Sequence, residues 1–210
     1  MALIKRISLH DAEIGIWKIE ETVDELRSRI DLSEDDFKLL DNFTNEKRKR
    51  EFLAIRNLLK TITGSNQKIS YDKTGQPQLC NPTQLISISH TLSLAALIIS
   101  GKPVGIDVEE ITRNVEKVSA RFLSPEELTW TANTRKSHLS RLICWCAKEA
   151  IFKLVKERDV DFSEHIRIYP FSCESENDFR AAFVKGKETI NLKLKYIIAE
   201  NNVVVWSVGK

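Results

Sequence analysis

Asp107 and Glu109 stand two apart in VGIDVE, residues 104–109. On a strand both carboxylates would leave the same face, roughly 7 Å apart along the backbone, with Ile106 and Val108 turned into the core. Paired carboxylates repel unless something positive sits between them, and oxygen-only ligands favour Mg2+. The plainer reading is an exposed strand face carrying solvated acids, and spacing alone leaves both open. Trp145, Glu149 and Lys153 recur at steps of four, so a helix would line them up on one stripe. Glu149 is then the best candidate for a third carboxylate facing the pair. Otherwise Glu149 and Lys153 are an exposed ion pair and Trp145 is packing.

Two further groups could meet anions. Ser89-His90-Thr91 ends a predicted strand, and its hydroxyls and imidazole can donate to phosphate oxygens. A Ser–His catalytic pair is disfavoured, because adjacent strand residues point to opposite faces; polar turn chemistry is the alternative. Lys47-Arg48-Lys49-Arg50, followed by Arg56, is a basic cluster at a predicted helix start. Such a run is commonly a solvated face, but a helix N-terminus adds partial positive charge and suits an anion. Regular helical spacing places Lys47 with Arg50 and Lys49 with Arg56, on different faces.

The elements that must position these groups follow from periodicity. Residues 12–19 alternate as a strand. Thr44 offers an N-cap, Phe52, Ile55, Leu59 and Ile62 keep helical spacing, and Gly64 closes the helix. YDKTGQP at 71–77 is turn chemistry. Residues 84–89, 93–100 and 104–109 read as three strands joined by short turns, which predicts one antiparallel sheet. Residues 125–133 and 138–156 read as helices. Strands return in the last third, where Ile190, Leu192, Leu194, Tyr196 and Ile198 alternate strictly. The pattern is α+β with its elements roughly duplicated.

Composition limits the possible functions. Hydrophobic residues at 42% and charged residues at 30% support a buried core rather than disorder. A net charge of +2 is too small to argue for nucleic acid or a membrane surface, so any electrostatic role must be local. Cys80, Cys144, Cys146 and Cys173 form no C-x-x-C pair and read as ordinary buried thiols. The start, MALIKRISLHDAEIG, has no signal-peptide stretch, and the longest apolar run, Leu94 to Ile99, is too short to span a bilayer. A soluble, cytoplasmic protein is expected.

Taken in order, the motifs are more specific than any one alone. GIDVE at 105–109 and W-x-x-K-E-A-x-x-K at 145–153 resemble the paired motifs of the 4′-phosphopantetheinyl transferase superfamily. EKRKREFLAIRNLLK resembles that family's basic helix, GQP at 75–77 its G-K-P turn, ISISHT its N-x-S-H-S strand end, and RFLSPEE at 121–127 its R-F-F-S-x-x-E. The likeness covers roughly residues 12–200, and the length suits the longer, single-chain subtype.

The resemblance implies two similar α+β halves, near 1–103 and 104–210, each with an antiparallel sheet on helices. They would be related by a pseudo-twofold, with the site in the cleft between them, in a monomer. It implies that Asp107, Glu109 and Glu149 hold Mg2+, or Mn2+, against the coenzyme A pyrophosphate. Lys47, Arg50, Arg56, His90 and Lys153 would contact phosphates, and Gly75, Gln76 and Pro77 would lie along the adenine. The serine of an apo acyl or peptidyl carrier protein would attack, with Glu149 or a metal-bound water as base and Lys153 stabilising the leaving group. Two departures stand out: Gln76 replaces the family's lysine, and Thr91 its second serine. A non-catalytic coenzyme A or carrier-binding module is the alternative, and a nucleic-acid-binding protein using residues 47–56 a remoter one.

Overall fold

The computed structural model describes residues 2–174 and 178–209. The chain is α+β and divides into two compact units, residues 1–102 and 103–210.

The first unit opens with a hairpin of β1 (Leu3–Ser8) and β2 (Ala12–Lys18). Helices α1 (Val23–Ser28), α2 (Glu34–Asn42) and α3 (Glu46–Thr63) follow, then a small hairpin of β3 (Ile69–Tyr71) and β4 (Pro77–Leu79). β5 (Leu85–His90) and β6 (Leu94–Ser100) complete an antiparallel sheet of order β1-β2-β6-β5. α3 lies on β2 and β6 because its Phe52, Ile55, Leu58, Leu59 and Ile62 make one apolar face, all buried. Its N-cap is Asn45 rather than Thr44: the Asn45 side chain accepts from the Lys47 amide at 2.9 Å. Gly64 ends the helix at φ +71°, a left-handed conformation that favours glycine.

The second unit begins with β7 (Val104–Glu110), a 3-10 turn at Glu116–Arg121, α4 (Pro125–Ala132), α5 (Ser137–Val155) and the short α6 (Phe162–His165). β8 (Ile166–Ile168), β9 (Asp178–Lys185), β10 (Glu188–Ala199) and β11 (Asn202–Val208) form with β7 an antiparallel sheet of order β7-β11-β10-β9-β8. The expectation of one sheet for residues 84–109 is corrected here. β5 and β6 pair with each other, but β7 pairs with β11, nearly a hundred residues later in the chain. Gly101-Lys102-Pro103 breaks the ladder, and Pro103 has no amide to donate.

α5 packs on β7, β11 and β8. Its approach to β7 depends on Gly105, where an added Cβ would fall 1.8 Å from the Ala150 carbonyl oxygen. Alternation along β10 predicts the core only in the middle: Leu192, Leu194 and Tyr196 are buried, while Ile190 and Ile198 near the strand ends are exposed. No helix among the described residues is long and apolar enough to cross a membrane. Cys144 and Cys146 are buried thiols, as expected, whereas Cys80 is exposed.

Candidate functional site

β7 and α5 bring the predicted acids of the second unit together. Asp107 and Glu109 leave the β7 face that carries α5, and Glu149 and Lys153 reach toward them from the helix. Lys153 Nζ donates to Asp107 Oδ1 at 2.7 Å and to the Ile106 carbonyl at 3.0 Å. Glu109 Oε1 accepts from Trp145 Nε1 at 2.9 Å and is also ion-paired with Arg113. Half-buried Glu149 is pushed up to about 7, first by desolvation, then by the charges of Asp107 and Glu109, with Lys153 and Arg113 opposing. Three carboxylates therefore share one electrostatic neighbourhood.

This donor set was tested for a divalent cation. Its chemistry fits: three hard oxygen ligands and no sulfur or nitrogen, with a mutual repulsion that such a cation would relieve. Among the described residues no three of His, Cys, Asp and Glu stand together as a ready metal cage. Mg2+, however, commonly takes one or two protein carboxylates and completes its shell with substrate phosphates and water. Lys153 holds Asp107 and Arg113 holds Glu109 in this arrangement.

These residues lie within one recognisable stretch. The family model described as the 4′-phosphopantetheinyl transferase superfamily matches residues 103–204. The match spans nearly the whole of the C-terminal unit. A comparison with curated proteins found no match.

Within the C-terminal unit, two motif residues, Lys148 and Glu127, form an internal ion pair. Lys148 is fully buried, and its ammonium donates to Glu127 Oε2 (2.6 Å), the Ile166 carbonyl (2.7 Å) and the Phe162 carbonyl (2.8 Å). Burial lowers its pKa, and the Glu127 carboxylate opposes that shift. Glu127 in turn accepts from the Ser124 amide (2.7 Å) and the Ile168 amide (2.6 Å). One internal ion pair thus ties α4, α5, α6 and β8 behind the helix face that carries Glu149. Helical spacing already places Lys148 a quarter turn from Glu149, on the buried side.

The N-terminal unit corrects part of the expected phosphate set. Arg56 was expected to read a phosphate, but it is buried. Its guanidinium lies 2.6 Å from Asp36 Oδ1, donates to the Phe52 carbonyl at 3.3 Å and stacks on the Phe52 ring. Arg56 pins α2 to α3 and has no free face for a ligand. Arg50 is likewise engaged, donating to the Glu21 and Ile19 carbonyls at 2.8 and 2.9 Å, where it fixes the chain leaving β2.

Lys47 and His90 do converge, through two residues that sequence reasoning did not select. Buried Glu51 lies 3.8 Å from Lys47 Nζ, 3.3 Å from Arg48 Nη1 and 3.3 Å from His90 Nδ1. Arg48 Nη1 is also 2.6 Å from His90 Nε2. The two ring nitrogens of His90 thus face opposite charges, Nε2 the Arg48 guanidinium and Nδ1 the Glu51 carboxylate. The spacing of Arg48 and Glu51 at i and i+3 was the available signal. Ser89 is buried and turned to the opposite face of β5 from His90. Pro77 opens β4 opposite Tyr71, and Gly75 and Gln76 lie in the bend of the β3–β4 hairpin. There Asp72 Oδ1 accepts from the Thr74 and Gln76 amides at 2.8 and 3.0 Å, and Gly75 adopts φ +83°.

Proposed function

We propose that this protein transfers the 4′-phosphopantetheine group of coenzyme A to a serine of an apo carrier protein, with Mg2+ as cofactor and 3′,5′-adenosine bisphosphate as the other product. The observation that carries the reading is the convergence of Asp107 and Glu109 on β7 with Glu149 and Lys153 on α5, in a unit that matches the model of this superfamily. Glu149 takes the proton of the carrier serine. The serine oxygen then bonds to the β-phosphorus of coenzyme A as the bond from that phosphorus to the bridging oxygen breaks. Lys153, drawn from Asp107, offers its ammonium to the charge on the departing phosphate. Asp107, Glu109 and Glu149 would hold the Mg2+, which would supply Lewis-acid polarisation and charge neutralisation when bound.

In the first unit, taken by itself, Lys47, Arg48 and His90 form a group of N–H donors suited to phosphate oxygens. Arg56 and Arg50 take no part. The test is incubation with coenzyme A, Mg2+ and a panel of apo carriers, read by mass. A gain of phosphopantetheine on a carrier serine, stopped by chelator and restored by Mg2+ or Mn2+, is expected. No gain on any carrier, or full transfer in excess chelator, overturns the reading.

A further inference from the structure

Both units contain a tryptophan and an arginine converging on one glutamate, and the two arrangements differ in which oxygens they use. In the first unit Trp17 Nε1 donates to Glu21 Oε2 at 3.3 Å, while Arg29 Nη1 donates to Glu21 Oε1 at 2.6 Å. Both oxygens are committed, and Glu21 is 9% exposed. That carboxylate is internal structure. In the transferase unit Trp145 Nε1 and Arg113 Nη1 both meet Glu109 Oε1. Among the described residues no partner stands at Oε2. The Arg113 guanidinium also lies over the Trp145 ring, 5.2 Å from its centroid, and Phe122 meets the ring's other surroundings edge-on at 5.0 Å.

The two donors to Oε1 are chemically unlike. An indole N–H is neutral: it fixes the direction of a carboxylate without cancelling its charge. A guanidinium fixes and neutralises at once, and it competes with any other cation for the same group. The Arg113 side chain is 47% exposed, whereas the Trp145 ring is packed against Phe122 and Phe162, with centroids at 5.0 and 6.0 Å. A glutamate held through one oxygen by a rigid neutral donor loses less side-chain freedom when its other oxygen takes a ligand.

We propose that Trp145 is a positioning residue that holds Glu109 through Oε1 so that Oε2 is presented to a divalent cation, and that Arg113 is the counter-charge this cation displaces. The inference rests on the proposed metal-dependent transfer and assigns two residues to it.

The experiment is titration of the intact protein with Mn2+ in the presence of coenzyme A, reading free Mn2+ by electron paramagnetic resonance, with transfer kinetics alongside. Trp145→Phe keeps the ring and removes the N–H; Mn2+ affinity should fall about tenfold, the lower end of what loss of a group orienting a metal ligand costs. Arg113→Met removes the competing charge and should tighten Mn2+ severalfold, roughly what one unit charge at the rim of a site is worth. Phe122→Leu, which disturbs the same packing without touching a donor to Glu109, should lower the melting temperature and leave Mn2+ affinity as in wild type. A merely structural indole would instead give Trp145→Phe and Phe122→Leu the same pattern, a lower melting temperature at unchanged Mn2+ affinity, and that result overturns the positioning role. Weaker Mn2+ binding in Arg113→Met overturns the counter-charge role. Wild-type protein that binds no Mn2+ and modifies no carrier overturns the proposed function itself, an outcome distinct from both.

Discussion

The two long helices, α3 and α5, meet their sheets by the same device and put it to different use. Each crosses a strand at a glycine: Gly15 on β2 under α3, Gly105 on β7 under α5. An added Cβ at Gly15 would meet flexible side-chain ends, Ile62 Cδ1 at 2.2 Å and Leu58 Cδ1 at 2.7 Å. At Gly105 it would meet the backbone of α5 itself, Ala150 O at 1.8 Å. Each helix also carries a buried cation, Arg56 paired with Asp36 and Lys148 paired with Glu127. α3 thus turns its most motif-like arginine inward as structure. α5 turns one lysine inward and keeps the next residue, Glu149, half-buried among other charges. Adjacent residues on one helix can have opposite fates when a backbone contact sets the helix rotation.

The largest effect should come from breaking that contact. Gly105→Ala forces α5 off β7 and should cost about 3–5 kcal/mol in chemical denaturation, because no side chain can yield. Gly15→Ala, where Ile62 and Leu58 can re-pack, should cost about 1–3 kcal/mol. Equal costs would remove the distinction between the two helices.

Next come the buried pairs. Lys148→Met leaves Glu127 charged in the interior and should cost about 3–4 kcal/mol, and adding Glu127→Leu should recover part of it in a double-mutant cycle. Arg56→Met should cost less, about 2–3 kcal/mol, because Asp36 keeps the Ser33 hydroxyl at 2.9 Å. The ratio of coenzyme A to 3′-dephospho-coenzyme A affinity should be unchanged in Arg56→Met. A collapse of that ratio would restore Arg56 as a phosphate contact.

Glu149 gives a smaller effect on stability and a large one on rate. Its folded pKa lies above that of the unfolded chain, so the folded state binds the proton more tightly. This contribution to stability is fully present below pH about 4.5 and is lost as pH rises through about 7. In chelator, Glu149→Gln should therefore raise stability at pH 8 by roughly 1–2 kcal/mol, after allowing for solvent screening, and flatten the slope between pH 5 and 7. Transfer should fall by about 10²-fold or more. A variant no more stable than wild type at pH 8 would show that ionised Glu149 carries no penalty from its burial or from its charged neighbours.

The smallest effect is at the rim of the first unit. Arg48→Met should weaken coenzyme A about three- to tenfold, with the loss shrinking at high salt, since the side chain is half exposed. Salt-independent weakening would point to altered packing against Phe43, whose ring the guanidinium covers at 5.5 Å, rather than to charge.

Periodicity and motif order were enough to identify the elements that carry the site. The strand at 104–110, the helix at 137–155 and the same-face placement of Asp107 with Glu109 follow from side-chain alternation and the 3.6-residue turn, which are local properties. The short helices α1 and α2 and the edge strand β1 were not legible. Their apolar stripes are brief, and their stability comes from packing on α3 and β2 rather than from their own pattern. The partner of β7 was also out of reach, because pairing with β11 is a long-range choice that no spacing near residue 104 encodes.

For the site, the sequence determined which residue types are available and which lie on one stripe. Only the tertiary structure decided which charges are spent inside. Arg56 looks like a ligand-binding cation in its motif and Lys148 stands in another motif, yet each faces a buried carboxylate from a neighbouring helix. Conversely, Arg48 and Glu51 look like a solvated helix pair, and the end of β5 brings His90 onto them. A charge is functional or structural according to what stands opposite it, and that neighbour is set by packing, not by the chain on either side.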